Sequence, residues 1–318
     1  MKKILNRWGE AMEIKKLAEI KKILLVVDPT KERQEVIPRT IRLAKALGAE
    51  VELMVAEYQR ALESSYPFDA KALSSAKDSC LASRERWLEA FAEQMRAHGI
   101  AVTQHVRWEK PLYKAVVERC RETQAQLIIK ATHHHSILQR ALFTNTDWHL
   151  MRDADAPIWF VREEHRWDGH IQVLAAVDPI EVEGSVNNLN PRILDIAHEI
   201  SCRLPAELNV VHAYEPIPTG MLVEFDAIVA DYEEYREKVK SKHQKALDRL
   251  LENYVESSTH VFFEEGSPEK VLPACVNQHG HDLVVMGAVS RSGVDRIFIG
   301  STAERVLDHL ECDVLVIK

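Results

Sequence analysis

The chain has 318 residues, 46% of them hydrophobic, which predicts two domains of ordinary size, each with enough apolar material for a core. A formal net charge of −8 excludes the broadly basic surface that nucleic acid or an anionic membrane would require. No apolar run approaches the length that crosses a bilayer, and the five cysteines (Cys80, Cys120, Cys202, Cys275, Cys312) form no C-x-x-C pair, so free thiols in a reducing cytoplasm are expected.

Residues 1–20 precede the first strand pattern. They are basic, but Glu10, Glu13 and Glu19 interrupt them and no apolar h-region follows, which argues against a secretory signal. Ile4, Leu5, Trp8, Met12 and Leu17 can line one face of a helix broken by Gly9, so a packing helix or frayed terminus is favoured over a membrane-surface helix. Ile23–Asp28 then reads as a buried strand ending in Asp-Pro, and Gln34–Leu47 as a helix stopped by Gly48. Glu50–Ala56, Lys71–His98, Ala101–Arg107, Leu112–Arg121, Leu127–Lys130, Thr146–Arg152 and Ile158–Val161 continue the alternation of strand and helix. Polar Arg162–Gly169 reads as a linker. The order then recurs in Val173–Asp178, Arg192–Ser201, Glu207–Ala213, Phe225–Asn253, His260–Glu264, Pro268–Gln278, Leu283–Met286, Thr302–His309 and Val314–Ile317.

The second half is the first half written again. Leu24–Pro29 lies over Leu174–Pro179 at a shift of 150 (178 − 28), and Leu127–Val161 lies over Leu283–Ile317 at a shift of 156 (283 − 127). Five strands separated by helices in each copy call for a parallel, doubly wound sheet, because parallel strands require crossover connections. The expected architecture is therefore α/β: residues 1–20 as an extension, a domain at 21–162, a linker at 163–170 and a second domain at 171–318.

The copies differ in the loop after the fourth strand. The second copy reads Gly287-Ala-Val-Ser290-Arg-Ser-Gly293 and then Gly300-Ser301-Thr302, whereas the first reads Ala131-Thr-His-His134-His135-Ser-Ile137 and then Thr144-Asn145-Thr146. A glycine directly after a strand lets a ligand approach the backbone, and Gly300-Ser301-Thr302 opens a helix whose free N–H groups attract phosphate. The first copy has no glycine there, and Asp147 brings negative charge to the equivalent place.

On these residues the chain resembles the universal stress protein family over almost all of Lys22–Lys318, as two tandem family domains. Nucleotide-binding members carry Gly-x2-Gly-x9-Gly-(Ser/Thr) after the fourth strand and an Asp at the end of the first. Gly287, Gly300 and Ser301 fit that pattern, and Asp178 matches the acid. The Asn-Thr-Asp-Trp-His-Leu block within Thr144–Val161 is similar to the tandem, E-type members. The resemblance implies an adenine nucleotide alpha hydrolase-like fold, with ATP or another adenine nucleotide in the second domain. Asp178, Val211 and His212 would flank base or ribose, and Gly287, Gly300, Ser301 and Thr302 would hold phosphates. It also implies an internal pseudo-dimer in which Pro157–Val161 pairs antiparallel with Asp313–Ile317, with room for further homodimerisation. Roles in survival of stress, including DNA damage, and in adhesion or motility complete what it implies.

One residue departs from the motif. Ser290 stands at the second glycine, and a φ > 0 there costs a serine on the order of 1–2 kcal/mol, so nucleotide binding in the second domain is left open. The first domain is not expected to bind ATP in the family manner. His133, His134 and His135, with His149 nearby, read as a polar loop filling the vacated site and not as a zinc centre, since consecutive loop residues rarely all face one ion. His198-Glu199 is followed at the fourth position by Cys202, not by the His of a zinc hydrolase, and no Walker A, nucleophile elbow or Cys-His nucleophile arrangement is visible. Asp28 and Asp178 order their loops more economically than they serve phosphotransfer, while Trp148, Trp159 and Phe160 are expected in the core or between the domains. The residues thus point to a cytoplasmic binding protein for a small molecule, without catalysis, nucleic acid or a membrane span. Two alternatives stand beside it: a module for an apolar or lipid-like ligand in the first or inter-domain cleft, and an interaction protein with neither cleft filled.

Overall fold

The computed structural model describes residues 20–31, 34–60, 62, 70–132, 143–167, 169–180, 189–216, 232–252, 254, 259–288 and 299–318. The first half contributes β1 (Lys22–Val26), α1 (Val36–Leu47), β2 (Glu50–Glu57), α2 (Ala70–Arg96), β3 (Val102–Trp108), α3 (Leu112–Thr123), β4 (Leu127–Thr132), α4 (Asn145–Asp153) and β5 (Ile158–Arg162). The second contributes β6 (Ile171–Ala176), α5 (Asn190–Arg203), β7 (Ala206–Tyr214), α6 (Tyr232–Leu251), β8 (His260–Glu265), α7 (Pro268–His279), β9 (Leu283–Gly287), α8 (Ser301–Leu307) and β10 (Asp313–Ile317). Every expected strand and helix is present, with ends shifted by a few residues. The expected helix over Phe225–Asn253 is described from Tyr232, and the helical face of residues 1–19 lies outside the described residues.

All strands join one sheet in the order β3-β2-β1-β4-β5-β10-β9-β6-β7-β8. Neighbours within each half are parallel, and the halves meet where β10 runs antiparallel to β5, with Val314 opposite Phe160, Leu315 opposite Trp159 and Val316 opposite Ile158. The internal pseudo-dimer is therefore a continuous sheet. The inner strands are largely buried on both faces, as their apolar runs require, while the edge strands β3 and β8 are more polar and partly exposed. One core layer packs α1, α2, α5 and α6 on one face and the other packs α3, α4, α7 and α8 on the opposite face, and each layer crosses the seam between the halves. Gly48 and Gly280 close α1 and α7 in the left-handed conformation, at φ 63° and 67°, where other residues are strained.

The seam is held by buried polar groups. Asp313 is fully buried on β10, forms an ion pair with Arg39 of α1, and accepts hydrogen bonds from Trp159 Nε1 at 3.2 Å and the Arg162 backbone N–H at 2.9 Å. Burial pushes the Asp313 carboxyl upward and Arg39 pulls it back. The linker is tied to both halves. Arg162 Nη1 donates to the Leu310 carbonyl at 3.0 Å, His165 Nε2 meets Asp282 Oδ1 at 2.8 Å, and the Trp167 ring lies 5.7 Å from that of Trp159 under the guanidinium groups of Arg39 and Arg42. Trp159 and Phe160 are core residues as expected.

His281 shows how a buried polar side chain is fixed in this core. Its Nδ1–H donates to the Cys275 carbonyl and its Nε2 accepts from Asn209 Nδ2, so the neutral ring is satisfied and burial holds its pKa down to about 4. An unfolded histidine titrates near 6.5 and takes up the proton first. This contribution to stability is therefore complete above about pH 6.5 and is lost towards pH 4, with a slope approaching 1.4 kcal/mol per pH unit. Urea unfolding at about pH 4.5 and pH 7 should show a smaller stability difference in His281→Gln than in the natural chain.

Candidate functional site

The expected site lies at the carboxyl ends of β6, β7 and β9, where doubly wound sheets bind ligands. Directly after β6, Asp178 Oδ1 accepts from the Ile180 N–H at 3.2 Å, and Asn190 at the start of α5 clamps the same residue. Asn190 Oδ1 accepts from the Asp178 N–H at 3.0 Å and Asn190 Nδ2 donates to its carbonyl at 2.7 Å. In the first half Gln34 does the same to Asp28, whose Oδ1 accepts from the Thr30 N–H at 2.8 Å. Both strand-end acids thus order their loops. The amide clamps were not recognised in the sequence, although Gln34 and Asn190 stand at the same shift of 156 (190 − 34) as the Leu127–Val161 block.

Gly287 ends β9, but its neighbour is protein. A Cβ there would come within 2.9 Å of Leu189 Cδ1 and 3.6 Å of Ile193 Cδ1. The missing side chain lets the start of α5 lie on the strand. Leu189 must move before anything else reaches Gly287. Gly300 has ordinary extended dihedrals (φ −66°, ψ 139°), so no left-handed turn requires glycine there. Its significance is the absent side chain: among the described residues α8 begins with no side-chain cap, beside exposed Ser301 and Thr302. Ser290 lies outside the described residues.

Val211 is buried in the core, and its carbonyl accepts from the Val177 N–H at 3.0 Å. His212 is also buried; its Nδ1–H donates to the Val177 carbonyl at 3.0 Å and its Nε2 shares a 2.8 Å hydrogen bond with His243 Nδ1 of α6. The carbonyl fixes the His212 tautomer, so in the neutral pair His243 is the donor. Burial lowers the pKa of both imidazoles. These residues reach the neighbourhood of Asp178, yet both His212 ring nitrogens are engaged inside the protein. The partner His243 was missed, since one histidine on a polar helix carries no signal in isolation.

The first half closes the equivalent helix start. Thr144 has nearly the same backbone as Gly300 (φ −79°, ψ 164°), and its hydroxyl accepts from the Asp147 N–H at 3.3 Å. Asp147 Oδ2 accepts from the Thr144 N–H and hydroxyl, each at 2.8 Å, while Oδ1 lies 2.9 Å from Lys130 Nζ. Both charges are buried. Asp147 is thus a neutralised helix cap and not an open charge facing a ligand, which corrects its expected role. At the shift of 156, Met286 replaces Lys130 and Ala303 replaces Asp147 (286 − 130, 303 − 147). His149 stacks on Tyr113 at 4.1 Å and contacts Arg152; residues 133–135 lie outside the described residues. At the seam, Thr132, Phe143, Phe160, Arg162, Leu310, Cys312 and Val314 line a crevice with about 10 Å³ of room, space for about one water molecule.

A family model described as the universal stress protein family matches residues 19–162 and 172–318. The chain belongs to the universal stress protein family, with its domains in tandem. That arrangement is the E type: universal stress protein E of Escherichia coli (strain K12) is 28% identical over 305 residues, spanning 95% of both chains. The universal stress protein E homolog of Haemophilus influenzae is 23% identical over 94% of this chain and 98% of its own length. A structure of a functionally unknown protein from Pseudomonas aeruginosa PAO1 shares 26% identity and a TM-score of 0.66, covering 95% of this chain and 93% of that one. A universal stress protein from Archaeoglobus fulgidus has the same fold at 17% identity, with a TM-score of 0.66. Among the described residues no helix is long and apolar enough to cross a membrane.

The Lys130–Asp147 pair supplies a double-mutant test. Removing one member of a buried pair strands the other charge, at a cost of about 3–5 kcal/mol, whereas an apolar replacement of both can be nearly neutral. Urea unfolding should show Asp147→Ala strongly destabilised, and Lys130→Met with Asp147→Ala together should recover most of the loss.

Proposed function

We propose that the protein is a cytoplasmic stress-response binding protein whose second domain (171–318) takes ATP or another adenine nucleotide, while its first domain (21–162) does not. One contrast carries the reading: two helix starts with matching backbones are treated oppositely. Thr144, Asp147 and Lys130 satisfy the first, whereas among the described residues the N-terminus of α8 has no side-chain cap, and Ser301 and Thr302 beside it are exposed. Free N–H groups at a helix start attract phosphate. Asp178, above the buried pair Val211 and His212, would face base or ribose; Ser290, Gly300, Ser301 and Thr302 would surround the phosphates, with Gly287 reached once Leu189 moves. The function is retention of a ligand and not turnover. Resistance to DNA damage and other stress is the physiological setting that family membership suggests.

Native mass spectrometry of freshly purified, undialysed protein tests the ligand directly, since a nucleotide mass supports the reading and a lipid-like mass overturns it. In titrations with ATP, Gly300→Leu should weaken binding about tenfold or more, the worth of one charge-assisted hydrogen bond at about 1.5 kcal/mol. Ser290→Gly should tighten binding roughly 5- to 30-fold by removing a strain of about 1–2 kcal/mol. Unchanged affinity in Ser290→Gly would refute that account of the loop.

A further inference from the structure

Cys202 differs from the other cysteines. It is exposed, whereas Cys120, Cys275 and Cys312 are buried and Cys80 is half-buried. It lies in the last turn of α5, four residues after His198, so both side chains leave one helix face. Sγ stands 3.5 Å from His198 Nε2. A tetrahedral ion with metal–nitrogen bonds of about 2.0–2.1 Å and a metal–sulfur bond of about 2.3 Å holds those donors about 3.5 Å apart. The pair therefore already has the bite of a single ion.

The surroundings favour a cation. The end of a helix carries partial negative charge. Arg203, next to Cys202 in the chain, is paired with Glu199 at 2.9 Å. Ser201 Oγ donates to the His198 carbonyl at 2.7 Å, tying down the turn that carries the histidine. The first half has Arg42 and Ala46 at these places, at the shift of 156 (198 − 42, 202 − 46), so this pair belongs to the second copy only.

We propose that His198 and Cys202 form a two-donor site for a thiophilic divalent cation of the zinc class, with water in the remaining positions. Among the described residues no group of three or more ligands converges, so the ion is held openly and exchanges readily. On binding, the S–H bond breaks, a sulfur–metal bond forms and the proton passes to solvent. The site is independent of the nucleotide reading.

The test titrates the full chain with cadmium alone and follows the sulfur-to-metal charge-transfer band in the ultraviolet. The band is blind to histidine-only sites such as one built from His133–His135. A saturable one-to-one band is expected, reversed by excess zinc, retained in Cys80→Ser and lost in Cys202→Ser. His198→Ala should weaken it about tenfold or more. Circular dichroism of these surface variants checks that the helix persists. No band, a band surviving Cys202→Ser, or equal affinity in His198→Ala would overturn the site, the last because the thiol would then act alone.

Discussion

The carboxylate of Asp313 fixes how the two halves meet. It is fully buried, and Arg39, Trp159 and the Arg162 backbone satisfy it, all from the other half. Slipping the β5–β10 pairing by one residue would turn each side chain to the opposite face and strand this charge in the core. A single register is therefore much preferred. Because that register holds, the edges of two five-stranded sheets cover one another and two core layers run through the whole chain.

On this shared frame the copies have diverged by local substitution without rebuilding. Each strand-end Asp keeps its Asx turn and its amide clamp, one from Gln34 and the other from Asn190. At the helix after the fourth strand the backbone is also kept, and only side chains differ: a buried ion pair and a capping box in one copy, Met286, Ala303 and a bare glycine in the other. The first domain has in effect supplied its own anion to its helix terminus. At β7, His212 stands where the pairing register puts Val55 in the first half, and with it comes the His243 partnership.

The fold was legible in the sequence because its signals are local or repeated. Apolar runs marked the strands, Gly48 marked a helix end, and the duplication implied two sheets with edges to cover. The candidate site was legible only as positions. What those positions do depends on contacts distant in sequence: Leu189 against Gly287, Lys130 on Asp147, His243 on His212 and Arg39 on Asp313. At the linker, Trp167 and His165 key a polar stretch to both halves, through contacts that composition does not reveal. At Gly300 the extended dihedrals make the missing side chain, and not backbone freedom, the property that glycine supplies.

The antiparallel seam has a consequence for communication between the halves. Reversal of strand direction between β5 and β10 sends the carboxyl ends of the two halves to opposite long edges of the twisted ribbon. Four strand steps, or roughly 20 Å, separate the two crossover points along the sheet. No small molecule can touch both clefts together. A partner that senses one occupied cleft need not contact the other, and influence between them would have to cross the shared sheet and the core layers that run through the seam.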